Sequence, residues 1–374
     1  MAGNATAPRA PFSARFADWR IWVGVFAVAM PAQITSTCSP FLNGAVMAER
    51  AISEDQIGLI RTLEILLSAG IMIYLSAHIV RYPLRAIGFI GAGLMIAGNV
   101  AAIAADPLWA LGAARLVAGA GQGCLMAAMG GFVAQTQSPH RIGALVSVPV
   151  AASAMTASVI VGGISKQFGE DGVFAVIIVG ALIGATLLAL TPPGKPHAAH
   201  ERKVTSMISA LRSPYVLSYA TIFIGSTAVW HFFTGIGARH GLDTPYLGNL
   251  NAIVALACVA LVPLAALARD HHVRAGVLIA LVVFGIGSSS IALSLNKSMF
   301  IGAFAMQTLG YAFWTIFGAA VAARLDRTGG LAAAGQGWNA LGNAFSPAIG
   351  GYLITHVGGY PALGALCIAA SIIT

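Results

Sequence analysis

Long apolar stretches separated by short polar gaps run the length of this chain. Twelve can be drawn, over residues 19–41, 56–78, 86–105, 107–135, 142–164, 172–190, 215–238, 247–269, 275–295, 298–323, 333–354 and 358–374. Most hold the roughly 20 residues needed to cross about 30 Å of hydrocarbon. Hydrocarbon offers the backbone no hydrogen-bond partners, so its polar groups must pair within a helix or a closed barrel. The alternation of barrel strands is absent, which predicts helices. Away from the segment ends, only three formal charges fall inside the stretches: Arg61, Glu64 and Arg115.

Composition agrees with this pattern. Of 374 residues, 58% are hydrophobic and 9% charged, against about 25% charged in soluble domains. Mean hydropathy is +0.84. The expectation is an all-α polytopic membrane protein. The 44 glycines suit close-packed membrane helices. The net charge of +8 sits largely in short loops, so nucleic acid is not an expected partner. Cys38, Cys124, Cys258 and Cys367 all lie in apolar stretches without metal-ligand spacing. They read as small packing residues. The first stretch has no A-x-A-like exit before the next and reads as a retained helix. The last stops at Thr374 without a polar tail, as a truncated helix would.

Lys and Arg set the orientation. Four of them, Arg50, Lys166, Arg239 and Lys297, fall at one set of segment ends. Fourteen fall at the other, in the tail and in the gaps around Arg81, Arg85, Arg141, Lys195, Arg202, Lys203, Arg212, Arg269, Arg274, Arg324 and Arg327. The richer side is cytoplasmic, and an even number of spans places both termini there. A bacterial cytoplasmic (inner) membrane is the expected location.

The longest cytoplasmic gap, 191–214, divides the chain into a six-span half over 1–190 and another over 215–374. Arg81 and Arg85 recur as Asp270 and Arg274, offset by 189. Gly119 recurs as Gly310, and Gly162-Gly163 as Gly350-Gly351. A repeat of this period predicts two parallel, pseudo-symmetric bundles.

With this layout the chain resembles the major facilitator superfamily of secondary transporters over essentially its whole length. Arg115 followed by Gly119, Gly121 and Gly123 resembles the family's fourth-helix R-x-x-x-G-x-G pattern. Gly342-x3-Ser346-Pro347-x2-Gly350-Gly351 resembles its Gly/Pro-rich helix motif. The resemblance implies that spans one, four, seven and ten line a central cavity, that Arg81 and Arg85 belong to a cytoplasmic gate, and that Arg115 takes part in proton coupling or substrate contact. Two positions depart from the pattern. Val80 stands where the gate motif carries Asp. Ala154-x3-Ser158-Val159-x2-Gly162-Gly163 lacks the Pro of proton-coupled exporters.

At about 1.5 Å per residue, Gln33, Glu64, Arg115, His231 and Gln307 all lie about eight or nine residues from the extracytoplasmic ends of their segments. Five polar groups at one depth outline a solute site. Glu64 has two readings: a proton-coupling carboxylate, or a structural partner of Arg61 or Arg115. Arg115 has the fork to bind an anion, or to hold Glu64. Arg61 lies nearer the outer surface and has two readings: it snorkels, or it takes a direct part in binding the substrate. His231 is either a titrating group or a packed histidine among Trp230, Phe232 and Phe233. Gln307, Tyr311 and Trp314 share a helical face and form a polar-aromatic stripe, with Asn339 and Asn343 repeating the spacing on the next segment. Gln122 extends the surface below Arg115. The run Gln33 to Pro40, with Pro31, reads as a kinked helix with free backbone acceptors.

The expected function is secondary active transport of a small organic solute by alternating access. The +1 balance of Arg61, Arg115 and Glu64 favours an anion or zwitterion, with a proton as co-substrate and a monomer in the bilayer as the working unit. Multidrug or metabolite efflux is the alternative, with Glu64 attracting lipophilic cations. An embedded enzyme would show HExxH or paired carboxylates, and neither occurs; His271-His272 beside Asp270 reads as a cytoplasmic flank. No P-loop is present, and neither a cofactor nor a metal is expected.

Overall fold

The computed structural model of the chain describes residues 19–134, 139–191, 213–265, 273–325 and 330–374. Helix follows helix through these residues. We label them α1 (Trp19–Arg50), α2 (Glu54–His78), α3 (Leu84–Ile103), α4 (Leu108–Ala134), α5 and α6 (the arms 139–168 and 170–188 of Pro139–Leu188), and α7 (Pro214–His231). A short helix, Phe233–Ala238, prolongs α7. Then come α8 (Thr244–Ala265), α9 (Val273–Ala292), α10 (Lys297–Leu325), α11 (Gly330–Tyr352), a π-helical turn Leu353–Gly358, and α12 (Gly359–Ile373). Among the described residues nine helical runs are long and apolar enough to cross a membrane, and the protein is a multi-pass membrane protein.

Several expected boundaries shift. The first span continues nine residues past 41, to Arg50. The expected gap between the fifth and sixth spans is no loop. The chain turns at Gly169 alone, with φ 54°. A side chain there would collide with Glu49, whose Oε1 accepts the Glu170 N–H at 3.0 Å. Arg50 grips Glu170 (Nη2 to Oε1, 2.6 Å) and bonds the Ala105 and Ala102 carbonyls, so the end of α1, the end of α3 and the start of α6 are tied at one point.

The helix α1 runs unbroken through both Pro31 and Pro40. Pro40 has no N–H for the carbonyl of Ser36 four residues back. That carbonyl instead accepts the Trp230 Nε1–H of α7 at 3.3 Å. Thr234 donates to the Pro40 carbonyl at 2.7 Å. Two acceptors around Pro40 are therefore taken by side chains from beyond residue 213.

Residues before 191 meet residues after 213 chiefly where α2 packs on α11 and α5 on α8. These two interfaces repeat each other. Gly58 lies against the Pro347 carbonyl, and Gly248 against that of Ser158. Gly351 lies against the Glu54 carbonyl, and Gly162 against that of Thr244. Thr62 accepts the Ala348 N–H at 3.1 Å, while Asn251 donates to Ser158 Oγ at 2.9 Å. Each residue maps onto its counterpart at an offset of 189 or 190. A side chain at any of these glycines would force the backbones apart. The same face carries two cross-pairs, Lys166 Nζ to Asp243 at 3.0 Å and His356 Nε2 to Asp55 at 3.2 Å. Among the described residues the two helix sets close on each other here, and we call this the closed face.

Of the expected linker 191–214, residues 192–212 lie outside the described residues, as do Arg9, Arg15, Arg269, Asp270, His271, His272 and Arg327. The side chains of Val80, Arg141, Arg274 and Arg324 are also not described.

Candidate functional site

The three intramembrane charges meet. Arg115 donates from Nε to Glu64 Oε2 at 2.9 Å and from Nη2 to Oε1 at 2.6 Å. Arg61, one helical turn before Glu64, donates from Nη1 to the same Oε2 at 2.5 Å. Local sequence builds this arrangement. Arg61 and Glu64 share a face of α2 by their i,i+3 spacing. Gly119, four after Arg115, lets α4 approach so closely that a Cβ would sit 2.5 Å from the Glu64 carbonyl oxygen. Gly121 points to the other side, against Gly91 and Met95 of α3.

A polar chain extends from this core in both directions. Arg115 Nη1 donates to Asn99 Oδ1 at 2.7 Å, and its guanidinium lies 5.7 Å from the Phe174 ring centre. Arg61 Nη2 donates to Ser39 Oγ at 2.9 Å. Ser39 lies 3.0 Å from His231 Nδ1, and Asn43 donates to the His231 carbonyl at 3.1 Å. The chain thus runs from α3 through α4, α2 and α1 to α7. Glu64 is 0% exposed, and Asn99, Arg115, Arg61, Ser39 and His231 are all buried. Burying ions costs several kcal/mol each unless partners and hydrogen bonds compensate. Here two guanidiniums share one carboxylate. Arg61 Nε is buried with no partner.

A cavity of about 830 Å³ lies between the two sets of helices. Ser39, Arg61 and His231 mark its end nearest the closed face. On one side it is lined by Gln33, Ser36, Gln122, Met126, Met129 and Met155, on the other by Phe223, Trp230, Gln307, Tyr311, Asn339 and Asn343. In α1, buried elsewhere over most of its length, Gln33 and Ser36 are exposed to this space. Trp230 stacks on Phe304, and Tyr311 lies edge-on to Phe223 at 6.0 Å. Gln307 donates to the Ser226 carbonyl at 3.3 Å. Asn343 donates to Asn339 at 2.7 Å and accepts from Thr227.

Most expected site residues therefore converge on one cavity: Gln33, Arg61, Gln122, His231, Gln307, Tyr311, Asn339 and Asn343. Glu64 and Arg115 do not line it; they stand behind Arg61. Arg61 does not snorkel. At 4% exposed it is the link between the cavity and the buried pair. Trp314 leaves the expected stripe. It is 1% exposed, packed with Val216, Ile222 and Phe284. Arg81 is exposed and Arg85 donates to the Thr191 carbonyl at 3.3 Å, both at the ends of α2 and α3 opposite the closed face. Ser39, Asn43 and Asn99 were not among the expected site residues. Asn99 was a lone amide in an apolar segment, and Asn43 fell beyond the drawn end of the first span. Among the described residues no cluster of three or more His, Cys, Asp or Glu groups could hold a metal.

The fold is similar to solved transporter structures. A point mutant of the nucleoside transporter NupG aligns with a TM-score of 0.70 at 10% identity, over 95% of this chain and 97% of that one. A POT family transporter in complex with a thioalcohol-conjugated peptide aligns with a TM-score of 0.69 at 14% identity, over 94% of each chain. A bacterial homolog of the human lysosomal transporter Spinster, inward-facing and unoccupied, aligns at 0.69 and 13%, over 98% of this chain and 95% of that one. No curated protein matches in sequence. The Major Facilitator Superfamily model matches residues 21–248, more than half the chain. With that match, and with buried charges set against a cavity between two helix sets, the chain belongs to the Major Facilitator Superfamily.

Proposed function

We propose that this protein is a proton-coupled symporter of a small organic anion or zwitterion. It works by alternating access between two six-helix bundles, residues 1–190 and 215–374, in a twelve-span chain with cytoplasmic termini. The repeated interface contacts at offsets of 189 and 190 support the two bundles. In this reading the closed face is extracytoplasmic, and Arg81 and Arg85 stand at the rim of the open, cytoplasmic end.

One observation carries the coupling: Arg61 borders the cavity while its Nη1 holds Glu64. An anion in the cavity and the Glu64 carboxylate compete for the same guanidinium. A proton on Glu64 removes the competitor and releases Arg61 to the solute. A bound anion in turn replaces the charge that Glu64 loses. Proton and anion therefore favour each other's binding, as linkage requires. Arg115, held by Asn99 and Glu64 on its buried side, keeps the pair positioned.

Proteoliposomes loaded with a pH-sensitive dye test this reading. Adding members of a panel of small carboxylates and amino acids outside should acidify the lumen for at least one solute. Glu64→Gln should bind that solute yet move no protons. A variant that acidifies as well as wild type, or a panel that never does, overturns the coupling.

A further inference from the structure

The cavity holds one sign of charge. Among the described residues, Arg61 is the only Asp, Glu, Lys or Arg that lines it. The acid beside it is spent: Glu64 Oε1 is held by Arg115, and Oε2 by Arg115 and Arg61 together. Among the described residues an ammonium group entering the cavity finds no carboxylate, whereas a carboxylate finds Arg61, whose Nε–H has no partner. A second donor lines the same cavity, His231. Ser39 Oγ accepts from Arg61 Nη2, so its own hydrogen is free to go to His231 Nδ1, which Asn43 Nδ2 also faces at 3.5 Å. With Nδ1 accepting, the imidazole carries its proton on Nε2.

The rest of the wall is largely apolar. Met126, Met129 and Met155 face Phe223, Phe304 and Tyr311 across the cavity. Thioethers adapt to a ligand's outline and contact ring edges favourably. Aromatic rings stack on flat bodies. At about 830 Å³ the space is of the size that holds a drug-sized ligand.

We propose that the solute is a monocarboxylate with an aromatic or otherwise flat apolar body, and neither a zwitterion nor a cation. Its carboxylate docks on the Arg61 guanidinium and on His231 Nε2, and its body lies between the methionines and the aromatic wall. This rests on the transporter reading and narrows it.

Four probes separate the possibilities: 3-phenylpropanoate, butanoate, phenylalanine and 2-phenylethylamine. Binding to the full chain in nanodiscs is read from Trp230 fluorescence, with Trp230→Phe as the signal control. We expect 3-phenylpropanoate to bind about tenfold or more tightly than the other three, the scale of one lost charged hydrogen bond or one unpaired buried charge. Arg61→Gln should abolish the preference. Gln33→Glu, isosteric and exposed to the cavity, should raise phenylalanine binding and lower that of 3-phenylpropanoate. Equal binding of phenylalanine or the amine, no binding of 3-phenylpropanoate, or an unchanged Arg61→Gln overturns the assignment. Selective binding without dye-reported proton movement sinks the coupling alone. Proton movement with phenylalanine or the amine sinks the solute class alone.

Discussion

Arg115 holds both carboxylate oxygens of Glu64, at 2.6 and 2.9 Å, from a neighbouring helix. Only a planar fork does this; an ammonium reaches as a point charge. Arg115→Lys should keep the charge and lose the alignment, lowering stability by about 1–3 kcal/mol and weakening solute binding. Wild-type melting and binding in this variant would show that charge alone is used.

Removing the acid is harsher. Glu64→Gln leaves Arg61 and Arg115 facing each other without a carboxylate, and breaking a buried pair costs about 3–5 kcal/mol. The double variant Glu64→Gln with Arg61→Gln should recover part of that loss, because one stranded charge disappears. Thermal denaturation in detergent measures both. Additive losses would show that the two residues do not act on each other.

Gly119 sets the distance between α2 and α4. Gly119→Ala places a methyl 2.5 Å from the Glu64 carbonyl oxygen, so the helices must part. Helix propensity alone would make this change stabilising by up to about 1 kcal/mol. The expected result has the opposite sign, with lower stability and weaker binding. A more stable, fully active variant would refute the close approach.

Gly351 packs against the Glu54 carbonyl on the closed face. Gly351→Ala should open that face without touching the cavity. Cysteines placed at Ser53 and His356 would report it, with faster labelling by a membrane-impermeant maleimide than in the Gly351 parent. Unchanged labelling would mean that the interface tolerates a methyl group.

The Lys166 ammonium, with the Tyr246 N–H, holds the Asp243 carboxyl below its usual range. A lowered folded-state value means that the contribution is complete above the ordinary Asp range, near pH 4, and fades as pH falls through the lowered value. The pair is exposed, so salt should screen it. Acidification should therefore speed labelling at Ser53 in low salt, and Asp243→Asn should be fast already at neutral pH. Identical rates for both proteins across the titration would exclude this pair from the seal.

The membrane character and the convergence of polar groups were legible in the sequence because hydrocarbon punishes charge. Any Arg or Glu deep in an apolar segment stands out, and Arg61, Glu64 and Arg115 did. Their roles were not legible. Depth along a helix follows from counting, but rotation about its axis depends on neighbours. Trp314, three residues from Tyr311, turned into an apolar cluster for that reason. Arg61 lies deeper than its position in the apolar segment suggests, because α2 starts at Glu54, directly after a capping residue, and α1 runs on to Arg50. Ser39 thereby reaches it. The glycines showed the reverse. Matching Gly162 with Gly350 gave an offset of 188, whereas contact partners match Gly162 with Gly351 and Gly58 with Gly248. Residue identity alone cannot choose between adjacent glycines, but the carbonyl each one meets can.

The unequal count of two guanidiniums to one carboxylate has an electrical consequence. Empty, the cluster carries one positive charge. Loaded with one proton and one monoanion, it carries one positive charge again. On the proposed mechanism the full and empty forms reorient with the same charge, and a cycle moves no net current. A potassium diffusion potential of either sign, imposed with valinomycin, should drive no accumulation and leave the level reached unchanged, whereas collapsing the pH difference should stop accumulation. The membrane field, worth about 2.3 kcal/mol per charge per 100 mV, acts alike on the full and the empty form and does no net work over a cycle.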